Sequence, residues 1–154
     1  MPIVSRRKDL ETRRLTLVAE FAARPEAVWD LWASPHRLER WWGPADFTMS
    51  VETFELRPGG VVRFHVVGPD GQVIAARFDV VDVAPPGALR FDFTSDGMET
   101  TRIDVSIEGL PAGGSRMTLI ATFPSDAVME HAFDIGFDAG LANTIERAEA
   151  LSSS

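Results

Sequence analysis

Apolar positions change period along the chain, and the change divides it into two kinds of structure. From Met49 onward every second residue is apolar, and turn chemistry recurs at regular intervals, the signature of an antiparallel meander. The pattern predicts strands over Met49–Leu56, Val61–Val67, Gln72–Val83, Leu89–Thr94, Thr100–Glu108 and Arg116–Phe123. The breaks between them carry Arg57-Pro58-Gly59-Gly60, Gly68-Pro69-Asp70-Gly71, Pro85-Pro86-Gly87, Ser95-Asp96-Gly97 and the Pro111–Gly114 stretch, each with the Gly or Pro a turn needs. One face of the series holds Val62, Phe64, Val66, Phe78, Val80, Leu89, Phe91 and Phe93; the other holds Arg63, His65, Arg77, Asp79, Arg90 and Asp92. Such alternation suits a sheet with one covered face.

From Ser125 to Leu151 the period becomes helical. Met129, Phe133, Phe137, Leu141, Ile145 and Ala148 recur at steps of three and four, which predicts one long amphipathic helix. At about 1.5 Å per residue it would run roughly 39 Å, enough to cross the sheet and bury its stripe against it. Gly136 and Gly140 lie within it, each costing about 1 kcal/mol relative to alanine in a helix interior. Close approach of the sheet backbone or room left for a ligand beside Phe137 would compensate.

Ahead of the meander, Leu15–Ala22 reads as a first strand. Pro25 then opens a short helix carrying Val28, Trp29, Leu31 and Trp32. Ser34-Pro35 ends it and caps a second helix presenting Leu38, Trp41 and Trp42, which stops at Gly43-Pro44. The order is strand, two short helices, meander, long helix. It predicts an α+β domain over residues 15–152, with one curved antiparallel sheet wrapped around the last helix and a charged lead-in over residues 1–14.

Composition narrows the function classes. The chain has 154 residues and a net charge of −8, yet residues 1–14 alone sum to +3, so the rest carries −11. An acidic body argues against binding a phosphate backbone, and the short basic start reads as a solvated lead-in, so nucleic acid is not an expected partner. Cysteine is absent, which removes disulfides and thiol chemistry. No apolar run is long enough to insert in a membrane, and the charged start does not resemble a signal peptide, so the expected location is cytoplasmic.

Candidate chemistry is sparse. Asp82 shares strand phase with Phe78 and Val80, and Glu52 with Phe54 and Leu56, so a strict period of two points both carboxylates inward. There, desolvation would raise their pKa and suit them to proton transfer. The competing reading makes Asp82 an acceptor for turn N–H groups and puts Glu52 where the strand bends and its phase slips. His36, His65 and His131 fall on different elements without metal-ligand spacing, so neither a metal nor a cofactor is expected. Neither a Gly-x-Ser-x-Gly elbow nor a phosphate loop occurs.

Several of these stretches together carry a resemblance. They are Ala23-Arg24-Pro25 through Val28-Trp29, Arg40-Trp41-Trp42-Gly43-Pro44, Arg57-Pro58-Gly59-Gly60, Gly68-Pro69-Asp70-Gly71, Asp82 followed by Pro85-Pro86 and Leu89, and Gly140 ahead of Leu141 and Ile145. Over Leu15–Leu151 the chain resembles the START-like (SRPBCC, Bet v 1-like) superfamily, and within it the bacterial family named for the homologue of the activator of heat-shock protein 90 ATPase. The resemblance implies a helix-grip fold with an apolar cavity between sheet and last helix. It departs from the family at Leu141, where the family usually has tryptophan, and in the shorter aromatic run Leu89–Phe93.

Inward aromatics and resemblance together point to a binder of a small apolar or amphipathic molecule. Its expected contacts are Trp41, Trp42, Phe64, Phe78, Phe91, Phe93, Phe133, Phe137 and Leu141. An enzyme using Asp82 or Glu52 in the same cavity is the second reading, and a module binding a chaperone partner is the third. Homodimerisation through the sheet edges stays open.

Overall fold

The computed structural model describes residues 3–43 and 46–152. Its eight strands are β1 (Ile3–Asp9), β2 (Arg14–Phe21), β3 (Thr48–Phe54), β4 (Val61–Val67), β5 (Val73–Ala84), β6 (Ala88–Ser95), β7 (Met98–Gly109) and β8 (Ser115–Thr122). They form one antiparallel sheet in the order β1-β2-β8-β7-β6-β5-β4-β3. Helices α1 (Pro25–Ala33) and α2 (Pro35–Trp41) follow β2, and α3 (Asp126–Asp134) and α4 (Phe137–Ser152) follow β8. This is the expected α+β helix-grip arrangement, with every expected strand in place to within a few residues.

Alternation does what it predicts. Leu15, Leu17, Ala19 and Phe21 on β2 and Met117, Leu119 and Ala121 on β8 are buried on the concave face, where α1, α2 and α4 pack. The convex face is laced by ion pairs such as Arg116–Glu20 and Arg102–Asp92. Pro25 and Pro35 each sit in a first helical turn, and the Ser34 hydroxyl accepts the Arg37 N–H at 3.4 Å as the cap of α2. The indole N–H of Trp41 donates to the Leu31 carbonyl at 2.8 Å and that of Trp32 to the Met117 sulfur at 3.4 Å, so both rings are fixed as core.

Two expectations are corrected. The closing segment is two helices, not one. Gly136, with φ of +81°, ends α3 in the left-handed conformation that commonly stops a helix, and α4 starts again at Phe137. The stripe hides this break, because Phe133, Phe137 and Leu141 keep their spacing across it. The charged lead-in, in turn, contains β1, paired with β2 in a register that sets Arg6 opposite Leu17 and Lys8 opposite Leu15. Its pairing is made by backbone groups, and its side chains show no apolar alternation to betray it.

Candidate functional site

The concave face is filled unevenly. At one level of the sheet Val62, Phe78 and Phe93 are register partners, and Phe78 stacks on Phe91 with ring centres 4.1 Å apart. At the next level the partners are Phe64, Ala76 and Ser95, two of them small. Large rings therefore close one part of the interior, and the small side chains leave the adjoining part open. A cavity of ≈ 460 Å³ lies there, between β4, β5, the β6–β7 hairpin, the end of α2 and the junction of α3 with α4.

Of the nine expected contacts, Trp42, Phe64, Phe93, Phe137 and Leu141 line this cavity. Trp42 stands nearly perpendicular to both Phe78 and Phe93, at centre distances of 5.2 and 5.7 Å. Among the described residues no hydrogen bond engages its indole N–H, in contrast with Trp32 and Trp41. Trp41, Phe78 and Phe91 are buried behind the lining. Phe133 faces elsewhere: its ring lies edge-on to Phe123 and 4.2 Å from the Lys8 ammonium.

Other lining residues come from places the periodicity did not single out. Ser95, Asp96, Gly97 and Met98 form the opposite rim, and His131, Ile135 and Gly136 contribute from the helix junction. Gly140 lines the cavity too, and a Cβ built on it would meet nothing within 4 Å. Of the two compensations weighed for this glycine, close approach of the sheet backbone is therefore excluded, and open space remains. Gly136 has a different reason: it makes the helix break.

Of the two readings of Asp82 and Glu52, the inward orientation is corrected, and the structure bears out the competing one, in which Glu52 sits at a phase slip and Asp82 accepts a backbone N–H. A β-bulge between Val80 and Asp82 and another between Val51 and Thr53 each insert one residue and reverse the phase. Both carboxylates consequently face solvent. Asp82 accepts the Val83 N–H at 3.0 Å, and Glu52 lies 3.1 Å from the His65 ring nitrogen. Neither can serve as an acid–base group inside the cavity.

What remains is an apolar chamber with a few polar groups at its edges. Asp96 is engaged by the Ala75 N–H at 3.0 Å, and no hydrogen bond links it to Ser95 or His131, so the rim holds no assembled nucleophile and base among the described residues. At the α2 end the Thr144 hydroxyl donates to the Gly43 carbonyl at 3.2 Å, and the Arg147 guanidinium donates to both. Burial holds the Arg147 pKa below its ordinary value. These bonds tie α4 to the segment carrying Trp42. Among the described residues lining the cavity none is lysine or arginine, and Trp42, Phe64, Val66, Ile74, Phe93 and Leu141 give it a predominantly apolar wall.

Comparison with known proteins follows the same lines. The family model described as Activator of Hsp90 ATPase homolog 1-like protein matches residues 22–151. A protein from Arthrobacter aurescens, solved by NMR in solution, is 34% identical, with a TM-score of 0.93 over 97% of this chain and 91% of that one. A crystal structure of a protein from Mycobacterium smegmatis is 29% identical, with a TM-score of 0.87 over 97% and 96% of the two chains. One from Rhodobacter sphaeroides shares the fold at 20% identity, with a TM-score of 0.84 over 98% and 97%. Among curated proteins, none matches this sequence. Among the described residues no helix is long and apolar enough to cross a membrane.

Proposed function

Because the chain belongs to the family of Activator of Hsp90 ATPase homolog 1-like proteins, whose fold commonly encloses apolar ligands, we propose that it binds a small hydrophobic or amphipathic molecule between sheet and α4. The observation that carries this reading is the unfilled chamber of ≈ 460 Å³, a volume within the range of small-molecule sites. A core without a ligand role would close such a space, since interiors pack to crystal-like density. Here Ala76, Ser95 and Gly140 keep it open. The family is named for an activator of Hsp90 ATPase, but the cavity is a property of this chain itself. The acid–base reading loses its two carboxylates to the convex side and to solvent.

Native mass spectrometry and thermal shift against fatty acids, neutral aromatics and polyketide-like molecules test the proposal. A ligand should raise the midpoint of the wild-type protein and raise it less in Ala76→Trp, because an indole at that small position on β5 takes up part of the chamber. No shift with any of these ligands, or equal shifts in both proteins, would overturn it.

A further inference from the structure

Seven of the residues lining the cavity lie between His131 and Thr144, so the α3–α4 elbow forms one side of its mouth and the β6–β7 hairpin the other. The elbow itself is weakly held. It turns on Gly136, around which a Cβ would find open space, and Ile135 beside it is 55% exposed. Its flanks, however, are both gripped by one strand. On β1 the Lys8 ammonium lies 4.2 Å from the centre of the Phe133 ring, before the elbow, and 3.9 Å from the Asp138 carboxylate, after it. Arg6 adds a hydrogen bond of 3.3 Å to the same carboxylate, which is buried. The register explains the reach: Arg6 and Lys8 stand opposite Leu17 and Leu15, whose side chains face the concave side, whereas Arg7 stands opposite Thr16 and projects the other way.

We propose that β1 is a strap that holds the α3–α4 elbow closed, so that the contacts of Lys8 and Arg6 with Phe133 and Asp138 set how fast a ligand enters and leaves the cavity. This rests on the reading of the cavity as a ligand site, but the strap makes a claim of its own about motion. β1 is an edge strand paired only with β2, and it carries a register irregularity between Ile3 and Ser5, so it can loosen without disturbing the rest of the sheet. Both cations are about half exposed, so added salt weakens the ion-pair part of the strap.

The test uses the neutral apolar dye N-phenyl-1-naphthylamine in stopped-flow binding, with Lys8→Ala and Asp138→Asn as variants and Arg7→Ala as the control that removes a charge from the other face of β1. Association and dissociation rates should both rise about three- to tenfold in the first two variants, with Kd held within about twofold, and stay at wild-type values in the control. Raised salt should move the wild type in the same direction. Hydrogen exchange in the ligand-free protein gives a second readout: the Gly136 and Gly140 amides, bonded to Phe133 and Gly136, should exchange faster in Lys8→Ala than in Arg7→Ala. Unchanged rates, or a change in dissociation alone with a matching loss of affinity, would overturn the strap. If the dye does not bind the wild type, the ligand-site reading fails for this probe, and unaltered exchange at those amides then overturns the strap independently.

Discussion

Glu39 on α2 accepts the backbone N–H of Val51 on β3 at 2.7 Å. β3 is an edge of the sheet, with a strand on one side only, and Val51 stands where its bulge begins. The carboxylate supplies an acceptor and, in the same bond, anchors the helix that ends at Trp41, next to Trp42. Glu39→Ala should therefore cost about 1.5–3 kcal/mol in urea unfolding, the range for a hydrogen bond to a charged group, with Glu39→Gln recovering part of it. A cost below about 0.5 kcal/mol would show that water replaces the carboxylate at no loss.

The two glycines of the closing segment should respond in opposite directions. Gly140→Ala places a methyl in open space within a helix, so it should stabilise the fold by roughly 0.5–1 kcal/mol while narrowing the cavity mouth. Gly136→Ala forces an L residue to φ of +81° and should destabilise by roughly 1–2 kcal/mol. Thermal unfolding of the pair checks both signs at once.

Asp82→Asn and Glu52→Gln, singly or together, should change neither ligand affinity nor stability by more than about 0.5 kcal/mol, because both side chains end in solvent. A large loss of binding in the double variant would return these carboxylates to the cavity.

Asp9, at the turn between β1 and β2, has a carboxyl pKa held below its ordinary value by hydrogen bonds from Thr12 and, to a smaller extent, the Glu11 N–H. A depressed carboxyl pKa contributes stability that is present above the unfolded value and lost as pH falls through the folded one. The turn should accordingly loosen only on acidification below the ordinary carboxylate range. The Thr12 amide shift in NMR should titrate there in the wild type and lose that transition in Asp9→Ala.

The period of the apolar pattern and the placement of Gly and Pro were enough to give the meander, the two proline-started helices and the concave and convex faces. Those features depend on neighbours within a few residues, which a sequence displays directly. Other features were decided by contacts between distant segments. The bulges at Val51–Thr53 and Val80–Asp82 appear only once partner strands are in register, and each turns to solvent a carboxylate that strict alternation would point inward. The elbow at Gly136 keeps the same apolar spacing on both sides, so periodicity reads straight through it. Ala76 and Ser95 become a gap only by lying opposite one another on β5 and β6. β1 is a strand because β2 offers it a backbone ladder, and its lysine and arginine acquire a role because α4 returns, over a hundred residues later, with Asp138 beneath them. The sequence by itself determined the alternation that buries one face of the meander and the two short helices that follow the first apolar strand. Only the tertiary structure decided where the inside stays empty and what holds its mouth, because both depend on which side chains meet across the sheet.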